Sequence, residues 1–102
     1  MDFKLLPLKL LDNDSNFYFV DSIELWQNNQ LIRTESIATI LTIDTFYTLL
    51  DDSNLAIFKN QSKPVEIKIF KNNAVIKTHF TSISGDCCHL TNSGGASVLF
   101  IP

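Results

Sequence analysis

The most reactive side chains of this 102-residue sequence lie together at Cys87-Cys88-His89. A nucleophilic cysteine needs a base that the fold brings to it, and either His79 or His89 is available, but neither cysteine lies in a recognisable nucleophile motif. Zinc ligands normally come in pairs separated by two to four residues, whereas adjacent side chains on a strand point to opposite faces. Adjacent cysteines also form only a strained disulfide. The sequence therefore predicts one buried and one exposed reduced thiol, without catalytic or metal-binding use.

A second pattern with chemical potential is an acidic turn near the amino terminus. Asp12, Asp14 and Asn16 have the spacing of the first three ligands of an EF-hand calcium loop. The rest of that loop is missing, because Phe17 stands where the sharp turn requires glycine and Ile23 stands where a bidentate glutamate is needed. A surface turn between two apolar strands is the expected structure.

The remaining candidates for catalysis are weak. Paired carboxylates for acid–base chemistry have to come from Asp51-Asp52, which are predicted to lie in an exposed turn. Gly94-Gly95 is too short for a phosphate-binding loop and no lysine follows it. We therefore expect a protein that is not an enzyme and that uses no cofactor and no metal.

Composition narrows the classes of partner. The chain has seven lysines and one arginine against eleven carboxylates, which gives a net charge of −3. Since arginine is the residue that binds phosphates bidentately, a chain with a single arginine is not expected to bind nucleic acid. The apolar stretch at residues 37–50 is too short and too polar to span a bilayer, and the amino terminus lacks a signal-peptide pattern, so no membrane is expected either. The expectation is one soluble domain, residues 1–102, that is cytoplasmic, or part of a virion if a phage encodes it.

Residues 23–35 resemble residues 67–79, with five of the thirteen positions identical and four more of the same character. Each copy places an Asn-Asn pair between two alternating apolar runs, which is typical of a tight antiparallel hairpin because asparagine tolerates positive φ. The repeat predicts two similar hairpins, at about residues 17–40 and 65–84. Either an internal duplication or a chance likeness between hairpins of an Asn-rich chain explains it.

The elements around the hairpins are less marked. Pro7 predicts that residues 1–11 form an edge strand or an arm outside the main sheet. Asp44 can cap a short helix at about residues 45–51, although the same residues also favour a strand. Residues 55–59 read as a short strand. Together these elements predict a mainly β fold, a small antiparallel β-barrel or β-sandwich with one short helix.

The predicted turns give each hairpin an apolar face for the core and an outer face. The expected core pairs are Leu25 with Ile32, Ile69 with Ile76, and Val65 with Phe80. The outer face has an aromatic residue with an aliphatic partner beside each turn: Trp26 with Leu31, and Phe70 with Val75.

These four outer residues are the predicted protein-interaction site, because aromatic contacts dominate interface energetics. The alternative is that the amino-terminal arm or the helix covers both tips as a satellite core.

The leading functional hypothesis is a non-catalytic structural module for protein assembly. A small phage virion component, of the capsid-decoration or tail-adaptor type, fits this description by analogy. The expected partner is a protein, either copies of the chain in a homo-oligomer or a larger assembly, and the apolar strands at residues 3–11 and 98–101 are able to pair with a neighbour's sheet edge. The alternative hypothesis is a small inhibitor or regulator that binds a bacterial or host enzyme.

Overall fold

A computed structural model describes residues 5–40, 45–51, 54–86, 90–92 and 98–101 of the chain. Nine strands and one short helix follow one another in the described residues. In chain order they are β1 (Leu5–Leu11), β2 (Ser22–Gln27), β3 (Gln30–Glu35), β4 (Thr39–Ile40), β5 (Thr45–Asp51), α1 (Leu55–Phe58), β6 (Ser62–Lys71), β7 (Ala74–Gly85), β8 (Leu90–Asn92) and β9 (Val98–Phe100).

The strands form two sheets. One sheet has five antiparallel strands in the order β3-β2-β6-β7-β8, and the other has four strands in the order β4-β5-β1-β9. In the second sheet β1 pairs antiparallel with β5 and parallel with β9. Buried residues of both sheets join in one hydrophobic cluster, so the predicted fold class, a small mainly β sandwich or barrel with one short helix, is confirmed.

Alternation along the central strands builds this core. In β6 every second residue from Val65 to Ile69 is buried, and in β2 Ile23 and Leu25 are buried with half-buried residues between them. This period of two is expected when a sheet buries only one face. At the end of the core the Tyr47 hydroxyl accepts a hydrogen bond from the Val20 N–H at 2.9 Å and donates one to the Val20 carbonyl at 3.1 Å.

Both predicted hairpins are present, as β2–β3 and β6–β7. Their Asn-Asn turns are alike: φ is 53° and 62° at Asn28 and Asn29, and 54° and 63° at Asn72 and Asn73. Positive φ at both central residues defines the type I′ turn, whose twist matches that of the flanking strands. The first hairpin is shorter than the predicted range of 17–40, because Thr39–Ile40 leaves it and pairs with β5 instead.

Each hairpin also contains a β-bulge close to its turn, where the register shifts between Leu25 and Trp26 in the first hairpin and between Ile69 and Phe70 in the second. The pairs nearest the turns follow the prediction, Trp26 with Leu31 and Phe70 with Val75. Beyond them Leu25 pairs with Arg33 and Ile69 with Lys77, so Ile32 and Ile76 are the extra residues of the returning strands.

The predicted core pairs Leu25–Ile32 and Ile69–Ile76 are therefore wrong. A bulge shifts the register by one residue, and a shift of one residue exchanges the two faces of a strand. Both bulges lie where the returning strand has an unpaired edge in the described structure, since β3 ends its sheet and β8 pairs only with Ile83–Gly85 of β7. Bulges are common at such edges, where they discourage pairing with other chains.

The helix predicted at about residues 45–51 is wrong, because these residues form strand β5 between β4 and β1. The predicted cap, Asp44, lies outside the described residues. Aromatic and β-branched residues favour extended structure, and pairing on both sides with other strands outweighs the helical spacing of the apolar residues.

The short helix is α1, in the place of the predicted strand at 55–59. It packs at the end of β7, where Gly85 permits close approach: a Cβ there would lie 2.6 Å from the Phe58 carbonyl oxygen. At four residues, α1 is far from the length that a membrane-spanning helix needs, and the described part of the chain holds no longer helix.

The amino-terminal strand is part of the sheet rather than an arm. Leu8 and Leu10 of β1 are fully buried, and β1 lies between β5 and β9. Pro7 is accommodated at a bulge, and β9 reaches only Lys9–Leu11, so no strand in the described residues pairs with Pro7 on that side. The two terminal strands, predicted to pair with a neighbouring molecule, pair with each other.

Candidate interaction surface

The candidate site is the face of the five-stranded sheet that points away from the core, here called the outer face. The strand register arranges its side chains in three cross-strand rows. The aromatic row is Leu31, Trp26, Glu66 and Phe80; the charged row is Thr34, Glu24, Lys68 and Thr78; the tip row is Ser22, Phe70 and Val75. Because their strand neighbours Ile23, Leu25, Ile67 and Ile69 fill the core, these side chains must face outward.

Trp26 is held on the outer face by polar neighbours. Its indole Nε1–H donates a hydrogen bond of 2.9 Å to the Glu24 carboxylate, and the Lys68 ammonium lies 4.8 Å from the centre of its ring. Lys68 also lies 3.6 Å from the Glu66 carboxylate. These contacts bury Trp26 in part and fix its ring orientation, while a cation over an indole face adds electrostatic attraction.

A groove of about 310 Å³ opens beside Trp26. Its lining includes Trp26, the turn residues Asn28 and Asn29, Pro64, Glu66 and Phe80. It exists because β2 ends at Gln27 and turns away, whereas β6 and β7 continue past that point as a longer hairpin. The groove is therefore bounded by the tip of the first hairpin and by the body of the second.

The four predicted interaction residues all lie on the outer face, but not as one patch. Since β2 and β6 are antiparallel, the pair Trp26–Leu31 lies at one end of the sheet and the pair Phe70–Val75 at the other. Leu31 is 43 % exposed and Val75 is 47 % exposed.

Neither Trp26 nor Phe70 joins or flanks the hydrophobic core. Of the two elements expected to cover them, the amino-terminal segment is β1 and residues 45–51, predicted as a helix, are β5, and both strands lie in the other sheet. Their use in binding stays a prediction.

Phe80 was missed as a surface residue. It was predicted to pair with Val65 in the core, but Val65 pairs with Thr81, and Phe80 faces outward opposite Glu66 with 70 % of its side chain exposed. The cause is the bulge at Ile76, which reverses the faces of every later residue of β7. No glycine marks this bulge, so the sequence offers no local signal for it.

The core-facing side of the first hairpin carries an ionic network. Arg33 Nη1 lies 2.8 Å from the Asp51 carboxylate on β5 and donates a hydrogen bond of 3.2 Å to Asn54 Oδ1, while Nη2 lies 3.3 Å from Glu35. Burial by itself lowers the pKa of Arg33, but the hydrogen bonds to Asp51 and Glu35 outweigh it, so the pKa lies above its ordinary value. The network ties edge strand β3 to the opposite sheet.

The other sequence candidates are not brought together into a site. The carboxylate of Asp12 accepts hydrogen bonds from the N–H groups of Asp14 and Asn16, at 2.8 and 3.0 Å, which makes it a cap for its own turn. His79 lies half buried on the core-facing side of β7, opposite Ile67. No group of three or more metal-binding side chains occurs within the described ranges.

The predicted Cys87-Cys88-His89 cluster, Asp52 and Gly94-Gly95 lie outside the described residues. Asp51, predicted in an exposed turn, belongs to β5 and pairs with Arg33.

Comparison with known proteins gives no relative. No protein-family model, no curated protein and no solved structure matches this chain.

Proposed function

We propose that this chain is a non-catalytic protein-binding module that docks its outer face against a partner protein. The observation that carries this proposal is the aromatic row, in which a strongly exposed Phe80 and a half-buried Trp26 border an open groove. Aromatic side chains held at the centre of a surface supply most of the energy of protein–protein contacts. A rigid sheet presents them without a cost for ordering loops.

Burial of Phe80 by a partner is favourable in itself. Fully burying a side chain of this size is worth roughly 1.5–3 kcal/mol relative to leaving it exposed. Leu31 extends the aromatic row at one end of the outer face, and Val75 lies at the other end, with the charged row between them. Apolar areas interspersed with charged side chains are usual in an interface formed by proteins that also exist apart.

Because β1 and β9 pair with each other, we assign partner binding to the outer face rather than to the terminal strands. Among the described strands β1 is paired on both sides and β9 pairs with it on one side, so we do not assign assembly to exchange of the terminal strands. A structural role in a larger assembly, such as a virion, and the binding of one enzyme as an inhibitor both use a surface of this kind. The concave groove at Trp26 favours the second use, because a concave site accepts a single protruding segment of a partner.

Site-specific photocrosslinking tests the proposal. Phe80 is replaced by p-benzoylphenylalanine in the full chain, which keeps an aromatic ring at the position, and the chain is irradiated in the cells that encode it. We expect a discrete protein adduct at position 80, lost when Trp26→Ala is added. The matched control places the same probe at Asp14, on a turn distant in the sequence from the row, and should give no such adduct.

The identity of the adduct separates the two roles. An adduct with a second copy or with a component of a large assembly supports the structural role, and an adduct with an enzyme whose activity the chain lowers supports the inhibitor role. The same adducts at positions 80 and 14, or none at position 80, contradict docking through the outer face.

A further inference from the structure

We propose that the aromatic row binds the cationic side chain, arginine or lysine, of an extended segment of the partner protein. This inference rests on the proposed function and specifies the chemistry that the outer face recognises. It assigns Trp26 and Phe80 as the two walls of the site and Glu66 as its charged floor.

The register gives the site its shape. Glu66 pairs with Trp26 on one side and with Phe80 on the other, so the carboxylate lies between the two aromatic residues in one row. Neighbouring strands are about 4.8 Å apart, which places the backbones that carry the two rings about 10 Å from each other. A guanidinium or an ammonium that enters between these two residues, where it competes with Lys68 at Trp26, meets an aromatic side chain on either side and a carboxylate below.

The charge balance of the outer face favours a cation. The three rows contain two carboxylates, Glu24 and Glu66, and one ammonium, Lys68. The chain as a whole has a net charge of −3. An added positive charge therefore completes the neutralisation of this face, whereas an added carboxylate would be repelled.

The chain already uses one side of this site to hold a cation. Lys68 lies over the Trp26 ring at 4.8 Å and within 3.6 Å of Glu66, which are the two kinds of contact proposed for the ligand. On the Phe80 side the described residues place no cation over the ring, although 70 % of Phe80 is exposed. The Phe80 side of Glu66 thus presents an aromatic ring beside the same carboxylate, the two kinds of contact that Lys68 makes on the Trp26 side.

The surroundings suit an extended segment rather than a free cation. Asn28 and Asn29 of the turn and Pro64 of β6 line the groove together with residues of the row, so the groove offers contacts beyond the row itself. The two asparagine side chains carry amide donors and acceptors that can bind the backbone of a segment lying in the groove. Residues on either side of the cationic one then lie against Pro64 and the turn.

A pair of peptides tests the inference with the intact protein. The probe is acetyl-Gly-Arg-Gly-Gly-amide, and its control replaces arginine with citrulline, which has nearly the same shape and no charge. Because Trp26 is the chain's one tryptophan, intrinsic fluorescence reports directly on the site, and amide NMR shifts locate the binding. We expect the arginine peptide to bind more tightly than the citrulline peptide, by about threefold or more, with the difference reduced at high salt.

Variants of the outer face should change arginine binding in opposite directions, which a purely structural role does not explain. Glu66→Gln and Phe80→Leu should each weaken arginine binding by about threefold. Lys68→Gln should tighten it, because it removes the competing ammonium. Asp14→Asn removes a carboxylate from the acidic turn and should leave binding unchanged, and circular dichroism checks that each variant is folded.

The outcomes separate the inference from the proposed function. Equal binding of the two peptides, or weaker binding in Lys68→Gln, overturns the inference. If the arginine peptide does not bind but the adduct at position 80 forms, the inference is wrong and the outer face remains a docking surface. If neither is seen, both proposals are wrong.

Discussion

The two hairpins have turns of the same type, but their returning strands make different contacts with the rest of the molecule. Both turn through two asparagines with positive φ, and both have a bulge in the returning strand close to the turn, at Ile32 and Ile76. The bulge directs Arg33 of the first hairpin and Lys77 of the second to the core-facing side of the sheet. Arg33 meets Asp51 of the opposite sheet there, whereas Lys77 has no ion pair within the described part of the chain.

The same local sequence thus gives two hairpins that are anchored at different places: the first through its returning strand, and the second at its turn, where the Asn72 N–H donates to the Asp21 carboxylate at 2.6 Å and the Lys71 ammonium donates to the Phe19 carbonyl at 2.7 Å. In β3 the ionic network holds the edge strand against β5. In β7 the residues from Ala74 to Phe80 are exposed or half buried throughout. Turn chemistry and twist fix the shape of each hairpin, while the elements opposite the returning strand decide whether it becomes part of the body or presents a surface.

The largest expected effects concern residues on which the hairpins agree. Leu25→Ala and Ile69→Ala each remove a fully buried side chain beside the bulge, and each should lower the free energy of unfolding by about 3 kcal/mol. Ile32→Ala and Ile76→Ala, at the extra residues of the bulges, should each cost less than about 1.5 kcal/mol. Urea unfolding measures all four, and similar losses for the two sets would contradict the bulged register.

These positions also show how much of the fold can be predicted from the sequence. The Asn-Asn turns and the alternating apolar runs were enough to predict both hairpins and the outward positions of Trp26 and Phe70, because a type I′ turn has a residue signature. The bulges have none here, and they decide that Ile32, which lies half buried against the core, does not pair with Leu25, and that Phe80 joins the candidate site. Local spacing likewise did not decide between helix and strand for β5, because pairing with distant strands determines its conformation.

The second-largest expected loss of stability differs between the two hairpins. Arg33→Ala should destabilise the protein by about 2 kcal/mol, because it leaves Asp51 partly buried without the guanidinium. The matched change, Lys77→Ala, should stay within about 0.5 kcal/mol of the parent. Chemical denaturation of both variants tests the difference. Equal losses of unfolding free energy would mean that Lys77 anchors its strand as firmly as Arg33 does.

The turns should again behave alike. Asn29→Ala and Asn73→Ala force alanine into positive φ and should each cost about 1 kcal/mol. Asn29→Gly and Asn73→Gly, which accept that conformation freely, should be neutral or slightly stabilising. Thermal unfolding followed by circular dichroism measures the four variants. A loss in only one alanine variant would show that the two turns are not equivalent despite their shared geometry.

The smallest effect is expected where the two hairpins meet in the aromatic row. Phe80→Ala should change the free energy of unfolding by less than about 0.5 kcal/mol, because the side chain is 70 % exposed. Trp26→Ala should cost about 1 kcal/mol, since it also removes the hydrogen bond to Glu24 and the contact with Lys68. Equilibrium unfolding of both variants tests this order. A loss at Phe80 as large as at Trp26 would mean that the chain itself covers Phe80, and the surface assigned to a partner would then be part of its own fold.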